Sequence, residues 1–478
     1  SSHYYQPRIG GDMAAVRAIV KSLLEKAAED PALLDRDFLG THTHGFEAYC
    51  AMVQATSWER LLAQCGLTRS QIDEAAEVYA GAGSVICCWA MGLTQHRHGV
   101  ANVQEIVNLL LLRGNIGRPG AGPCPVRGHS NVQGDRTMGI TEEPAEDFLV
   151  RLEKEFRFTA PRRHGFATVQ AIKAMARGQV KFFLGMGGNF ASATPDSDFT
   201  WEALRRCEMT VHVSTHLNRS HVVHGKAAFI LPCLGRSEAD LQSSGRQSVT
   251  VEDSMSMVHA STGRNRPASE HLKSEPAIVA GLGVKLFPGG SVDWDALVAD
   301  YDRIRERIEA VIPGFSGYNA KIRQPGGFQL RNSAAHREWK TPNGRANFIA
   351  NELPDLSVKP GRLLLTTLRS HNQYNTTIYD SGDRYRGISG ERRVIFLHPA
   401  DMHERGLTEA SLVTICSHAS DGRDRRAPGF RPVVYDIPRG CAAAYYPETN
   451  VLVGIDECAA KSFTPMSKYI EVTLEAET

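Results

Sequence analysis

Arg127 is the residue whose type and setting most directly suggest chemistry. It stands in Pro125-Val-Arg127-Gly-His129-Ser-Asn131-Val-Gln-Gly134, close after Gly120 and Gly122. A long cationic side chain there has no helix face to lie on. Most arginines are surface residues, and that remains the ordinary reading. In a glycine-constrained loop, however, an Arg can clamp an anionic substrate or stabilise developing negative charge. His129 beside it can carry a proton or simply hydrogen-bond to the loop. Two further stretches, Gly92-Leu-Thr-Gln95 and Gly187-Gly188-Asn189, each follow an apolar run and precede a helical pattern. Each alone is a tight turn. Together they suit a phosphate-bearing ligand approached by backbone amides. Their spacing is not Gly-x-Gly-x-x-Gly, so a nicotinamide dinucleotide is not favoured.

Other polar groups are less informative. His96 and His98 are two apart, and His216, His221 and His224 surround a short polar segment without a completing carboxylate or cysteine, so no metal site is expected. Glu252 and Asp253 are adjacent and point apart, which argues against a paired-carboxylate mechanism. The stretch from Arg369 through Gln373 to Thr377, and Tyr445-Tyr-Pro-Glu-Thr-Asn450, are dense in amides and hydroxyls. They read as polar loops or as donors and acceptors for a heterocycle.

The elements that must position these residues follow from periodicity. Met13–Ala28 has helical spacing, with Asp12 expected as its N-cap. Pro31–Phe38 reads as a helical connection. Helices are expected at Ser57–Gln64 and Ser70–Ala80, with Thr68 and Ser70 both able to cap. Ser84–Ala90 reads as a buried parallel strand. Asn102–Arg113 follows as a helix ended by Gly114. Strands are expected at Val180–Met186, Met209–Ser214 and Ala228–Leu231, with a helix near Asp196 and a helical turn at Asn218–His224. Alternating strands and helices predict a doubly wound α/β sheet, whose ligands bind beyond the carboxyl ends of the strands. Residues 242–263 are Ser-, Thr- and Gly-rich. Pro276–Ala310 reads as helix broken at Phe287-Pro-Gly-Gly290, and Thr341-Pro-Asn-Gly344 as a turn. Beyond Gly361 the pattern becomes β: Leu363–Thr367, Val394–Leu397, Ser411–Ser417, Arg431–Ile437 and Tyr469–Leu474, as in a barrel. The expected domains are 1–130, 131–355 and 356–478.

The 478 residues are 42% hydrophobic and 22% charged with a formal net charge of +1, enough for two or three cores and without a nucleic-acid or polybasic signature. No apolar run is long enough to span a bilayer. The ten cysteines contain no Cys-x-x-Cys pair, so no zinc or iron–sulfur spacing is present and a reduced, cytoplasmic protein is expected. The start, Ser1-Ser-His-Tyr-Tyr-Gln-Pro, has no initiator Met and no signal-peptide pattern. It reads as part of a longer or processed chain.

Taken together, these segments resemble the molybdopterin oxidoreductases of the formate dehydrogenase and dimethyl sulfoxide reductase type, and within them the formate-dehydrogenase-alpha-like branch. The resemblance rests on Gly92–Gln95, Asn108 to Gly117, and Pro125 through Gly134. It continues in order through Gly185-Met-Gly-Gly-Asn189, Ala228-Phe-Ile-Leu-Pro232, Thr341-Pro-Asn-Gly344, Thr366-Thr-Leu-Arg369 with Gln373, and Pro447-Glu-Thr-Asn450. It implies a fold of Rossmann-like parallel-sheet domains followed by a C-terminal double-psi β-barrel. It also implies a bis-molybdopterin guanine dinucleotide carrying molybdenum or tungsten. On that pattern Gln95, Asn189 and Thr194 line one guanine dinucleotide, with Gly92 and Gly187 in the turns beside it. Arg369, Gln373, Asn450 and Lys468 contact a pterin or its phosphates. Arg127 falls on the arginine that faces the metal and orients the substrate carboxylate.

Two departures accompany the resemblance. The residue two after that Arg is often Gln in formate dehydrogenases and is His129 here. None of the ten cysteines occupies the motif that ligates molybdenum or an iron–sulfur cluster, so those groups are expected from a missing N-terminal segment or a partner subunit. The expected activity is two-electron oxidation or reduction of a small anionic molecule, with an electron-transfer partner. The alternatives are a truncated, non-catalytic cofactor-binding scaffold, and a generic nucleotide-binding α/β protein.

Overall fold

The computed structural model describes every residue except Thr377, Tyr379 and Thr478. The end of the amide-rich stretch, Thr377, therefore lies outside the described residues. The chain forms two compact units. One contains Ser1–Pro125, Ser192–Thr200 and Ser333–Thr478, and the other Val126–Ala191 and Trp201–Asn332.

The first unit has a helical layer and a barrel. Helices Asp12–Glu29, Phe46–Ala55, Arg69–Gly81 and Gly99–Leu112 bury Val20, Leu23, Tyr49, Val53, Ala76 and Leu110–Leu112 in one apolar core. Inside it Arg17 makes a bidentate pair with Glu105 at 3.0 and 3.1 Å, and the Tyr49 hydroxyl donates to the same carboxylate at 2.8 Å. Charges buried this deeply are tolerated because their hydrogen bonds are met. Asp12 is not the expected cap. It is the first helical residue, and Gly11 holds the cap position without a side-chain bond. A methyl group on Gly11 would lie 2.6 Å from the Gln64 carbonyl oxygen, so close backbone packing selects glycine there. Thr68, rather than Ser70, caps Arg69–Gly81, in a capping box with Gln71. The expected connection at 31–38 resolves into a short turn, Pro31–Leu33, and a separate helix, Arg36–His42.

Ile86–Trp89 pairs in parallel with Gly122–Pro125. The parallel pairing was expected, but the strand is not buried: Ile86 and Cys88 are exposed while Cys87 and Trp89 pack on the helical core. A two-stranded sheet backed by helices on one face leaves the other face open. The barrel is closed by six strands in the order Leu363–Leu368, Cys441–Tyr445, Val394–Leu397, Arg425–Val434, Val413–Ser417 and Ile470–Ala476. Inward Leu363, Leu365, Ile395, Leu397, Val413, Phe430 and Val472 are fully buried. Cys441–Tyr445 was not anticipated, because Cys-Ala-Ala-Ala carries little strand preference. Its small side chains are selected by complete burial.

The second unit contains a parallel sheet of Phe182–Met186, Met209–Ser214 and Ala227–Pro232. It also contains an antiparallel set, Val249–Glu252, Met257–Ser261 and Phe328–Gln329. The Ser- and Gly-rich stretch is thus structured by pairing. Helices Glu275–Leu286, Trp294–Ala299 and Tyr301–Val311 replace the broken helix expected there. The glycine loop around Arg127 ends sooner than its composition suggests, at the helix Val132–Thr137. Among the described residues no helix is long and apolar enough to cross a membrane.

Candidate functional site

In the first unit seven expected residues converge through the barrel. Gly92 lies in a short helix, Met91–Thr94, rather than in a bare turn. A methyl group on Gly92 would meet nothing within 4 Å. Gln95 ends that helix, and its carbonyl oxygen accepts from the Lys468 backbone N–H at 3.2 Å. The Lys468 ammonium donates to the Thr367 carbonyl oxygen. Burial, then the positive charges of Arg369 and Arg386, pull the Lys468 amine down to about 8. The Arg369 guanidinium lies 5.4 Å over the Tyr446 ring. Arg386 pairs with Asp383 at 2.6 Å, and the buried Asp383 also accepts from the Tyr445 hydroxyl at 2.9 Å.

Lys468 thus lies in the field of Arg369 and Arg386, and Arg386 is itself paired with Asp383. A partly buried amine whose charge is disfavoured by two neighbouring guanidiniums gains from a bound anion. The donor set fits phosphate or pyrophosphate. Neither Arg386 nor Asp383 was singled out from sequence; the Arg384-Tyr-Arg386 pattern was the available signal.

Gln373 and Asn450 occupy a different position from open ligand contacts. The Gln373 amide nitrogen donates to the Asn375 and Tyr446 carbonyl oxygens, both at 2.7 Å. Its amide oxygen accepts from the Ser370 N–H at 3.1 Å and from Arg392 at 3.0 Å. Arg392 also pairs with Glu448 at 2.6 Å. Asn450 is buried, and its amide donates to the Ser192 carbonyl oxygen at 2.6 Å. The Tyr446 hydroxyl reaches the Ala193 carbonyl oxygen at 3.3 Å, and Arg425 pairs with Asp196 at 2.7 Å. Thr194, itself buried, thus sits in a segment tied to the barrel on both sides.

In the second unit Arg127 is exposed, and its guanidinium donates to the Gln133 side-chain oxygen at 2.9 Å. Its backbone N–H donates to the Ser254 hydroxyl at 3.3 Å. His129 is half-buried. Asn131 adopts a left-handed φ of 68°, and its side-chain oxygen accepts from the Glu252 N–H at 3.0 Å. A methyl group on Gly134 would lie 2.0 Å from that oxygen, so this glycine is required for the loop to close. Asp253 accepts from the Met255 and Met257 N–H groups and pairs with His259 at 3.0 Å. Burial raises the Asp253 pKa, but His259 and the two amides more than offset it and hold the carboxyl below its usual value. This brace under Ser254 was not read from sequence.

Gly187 and Gly188 have φ of 68° and 67° with open space where side chains would be. They are glycines for conformation. The Asn189 side-chain oxygen accepts from the Ser220 hydroxyl at 3.0 Å. The rings of His212 and His221 lie 5.2 Å apart, and burial, then the charge of His221, pulls His212 down. Among the described residues no group of three or more His, Cys, Asp or Glu could hold a metal ion.

Comparison with known proteins converges on one family. The molybdopterin oxidoreductase family matches residues 7–233, and the molydopterin dinucleotide binding domain matches residues 363–471. An uncharacterized oxidoreductase of Mycobacterium tuberculosis (strain H37Rv) is 51% identical over 482 residues, 99% of this chain and 62% of its own length. Protein YdeP of Escherichia coli (strain K12) is 46% identical over 485 residues, 99% of this chain and 64% of its own. The chain therefore spans less than two thirds of the length of either relative. The solved structure of acetylene hydratase from Pelobacter acetylenicus shares the fold, with a TM-score of 0.64 at 15% identity over 98% of this chain and 70% of that one.

Proposed function

The chain belongs to the molybdopterin oxidoreductase superfamily, and from that premise we propose that it works in a formate-dehydrogenase-like enzyme acting on a small anionic substrate at a bis-molybdopterin guanine dinucleotide centre. The observation that carries this reading is the grouping of Lys468 with Arg369 and Arg386, the last paired with Asp383, inside the segment that matches a dinucleotide-binding domain. The bound cofactor, with its molybdenum or tungsten, supplies the two-electron chemistry. The protein supplies binding and orientation.

Lys468 and Arg369 hold the phosphates or pterin edge, and Gly92 and Gln95 present backbone and an amide to one dinucleotide. Gln373 and Asn450 act by bracing the loop that carries Tyr446 and the segment that carries Thr194. Gly187 keeps the turn open for close approach, and Asn189 lines a guanine dinucleotide. Arg127 orients the substrate anion with a guanidinium held by Gln133 and a backbone held by Ser254. His129, next but one, holds or moves a proton. Electrons leave to a separate carrier, and the metal's protein ligand comes from polypeptide beyond this chain.

The test is metal and pterin analysis of the full-length protein prepared without oxygen. Molybdenum or tungsten with two pterins per chain is expected, together with cofactor loss in Lys468→Met and Arg369→Ala. A protein that folds normally yet carries neither metal nor pterin would sink the assignment.

A further inference from the structure

Cys88 and Cys124 stand directly opposite each other on the parallel strands Ile86–Trp89 and Gly122–Pro125. Directly opposed residues of paired strands leave the sheet on the same face. Cys88 is exposed and Cys124 partly so. Most of the other cysteines differ. Cys65, Cys207, Cys233, Cys416 and Cys441 are buried. Cys87 faces the helical core, where burial pushes its thiol up to about 11.

The geometry permits a covalent bond. Adjacent strands lie about 4.8 Å apart, inside the range of roughly 4.4–6.8 Å that disulfide Cα atoms span. The strand bearing Cys124 reads Gly122-Pro-Cys-Pro125. Its two prolines have no N–H to give the ladder, so the strand can adjust locally. Burial, then the neighbouring Cys88 thiol, raises the Cys124 thiol, and Cys88, the more exposed sulfur, meets an oxidant first.

We propose that Cys88 and Cys124 form a reversible dithiol site that a hydroperoxide converts to a disulfide. The Cys88 sulfur attacks the peroxide, the O–O bond breaks, one oxygen stays as a sulfenic acid and the other leaves as water or alcohol. The Cys124 sulfur then attacks the sulfenyl sulfur, the S–O bond breaks, and the oxygen departs as water carrying the thiol proton. Two thiols lose two electrons and two protons, and the peroxide gains them. A cellular dithiol restores the pair by exchange.

The location gives the bond a consequence. Cys88 lies four residues before Gly92, and Cys124 three residues before Arg127. The disulfide locks the two strands that lead into the candidate cofactor stretch and the candidate substrate loop. The oxidation itself needs neither cofactor nor turnover, so it stands apart from the proposed function.

The experiment is stoichiometric hydrogen peroxide added to the full-length protein, followed by thiol blocking, non-reducing digestion and mass spectrometry. The expected product is a peptide pair joined through Cys88 and Cys124, two hydrogens lighter than the separate peptides and released by dithiothreitol. C88S and C124S lose it, and C87S keeps it. Accumulation of Cys88 as sulfinic acid, a bond to Cys87, or a fully reduced pair while other thiols oxidise would each overturn the proposal. The wild-type map decides the matter even where a serine variant folds poorly.

Discussion

The barrel cluster and the Arg127 loop hold cations in opposite ways. At the barrel, Lys468 is partly buried beside Arg369 and Arg386, and the surrounding amides of Gln373 and Asn450 are already engaged by backbone. Burial and the two neighbouring guanidiniums disfavour the Lys468 charge, which a bound anion would relieve. At the loop, Arg127 is exposed and held by one side-chain and one backbone bond. The first arrangement suits a resident group bound once. The second suits a small molecule that enters and leaves each turnover. Replacing a barrel residue is therefore expected to change stability, and replacing the loop arginine to change rate.

Four measurements would break or sharpen that contrast. The largest effect is expected from Arg127→Ala in the full-length enzyme. Turnover should fall about 100-fold or more, while unfolding free energy stays within about 0.5 kcal/mol. Unchanged turnover would remove the loop from catalysis. Glu448→Ala should do the reverse, because it leaves Arg392 without its carboxylate at a nearly buried position. A loss of about 3 kcal/mol in denaturant melts is expected.

Lys468→Met comes next. The folded amine is depressed to about 8 from 10.5, so between those values the unfolded chain binds more protons. Stability of the ligand-free protein must then rise with pH across that window. The variant should flatten the slope and gain up to about 3 kcal/mol at neutral pH, less where solvent screens the site. Saturating pyrophosphate should abolish the wild-type slope by returning the amine toward its ordinary value. A slope that ignores pyrophosphate would show that the cluster is not an anion site. The smallest effect belongs to Ser254→Ala, which frees the Arg127 backbone. A roughly two- to fivefold rise in KM at constant kcat is expected for one hydrogen bond, read by steady-state kinetics.

Much of the architecture was legible because it depends on neighbours in sequence. The strand Met209–Ser214 ends where its pattern ends. Gly114 follows its helix with a φ of 58°, and the positive φ of Gly187 and Gly188 matches the turn their sequence implied. Where local preference was overruled, tertiary contact did it. Gly11 displaced Asp12 from the cap because the Gln64 backbone passes too close for a side chain. Cys441–Tyr445 became a strand because the barrel needed small residues between Leu363–Leu368 and Val394–Leu397. Ile86–Trp89 kept its parallel pairing and lost its expected burial because its sheet has one partner and one covered face.

The candidate site divides along the same line. Sequence alone determined that Arg127 sits in a constrained loop and that Gly92 and Gly187 mark strand ends, since glycine placement and hydrophobic period act over a few residues. Only the tertiary structure decided that Lys468 shares a field with Arg369 and Arg386, and that the Gln373 and Asn450 amides donate to backbone carbonyls. Those relations depend on a closed barrel that carries residues about a hundred positions apart to neighbouring strand ends. Coulomb interactions and hydrogen-bond saturation follow distance in space, which no local pattern encodes.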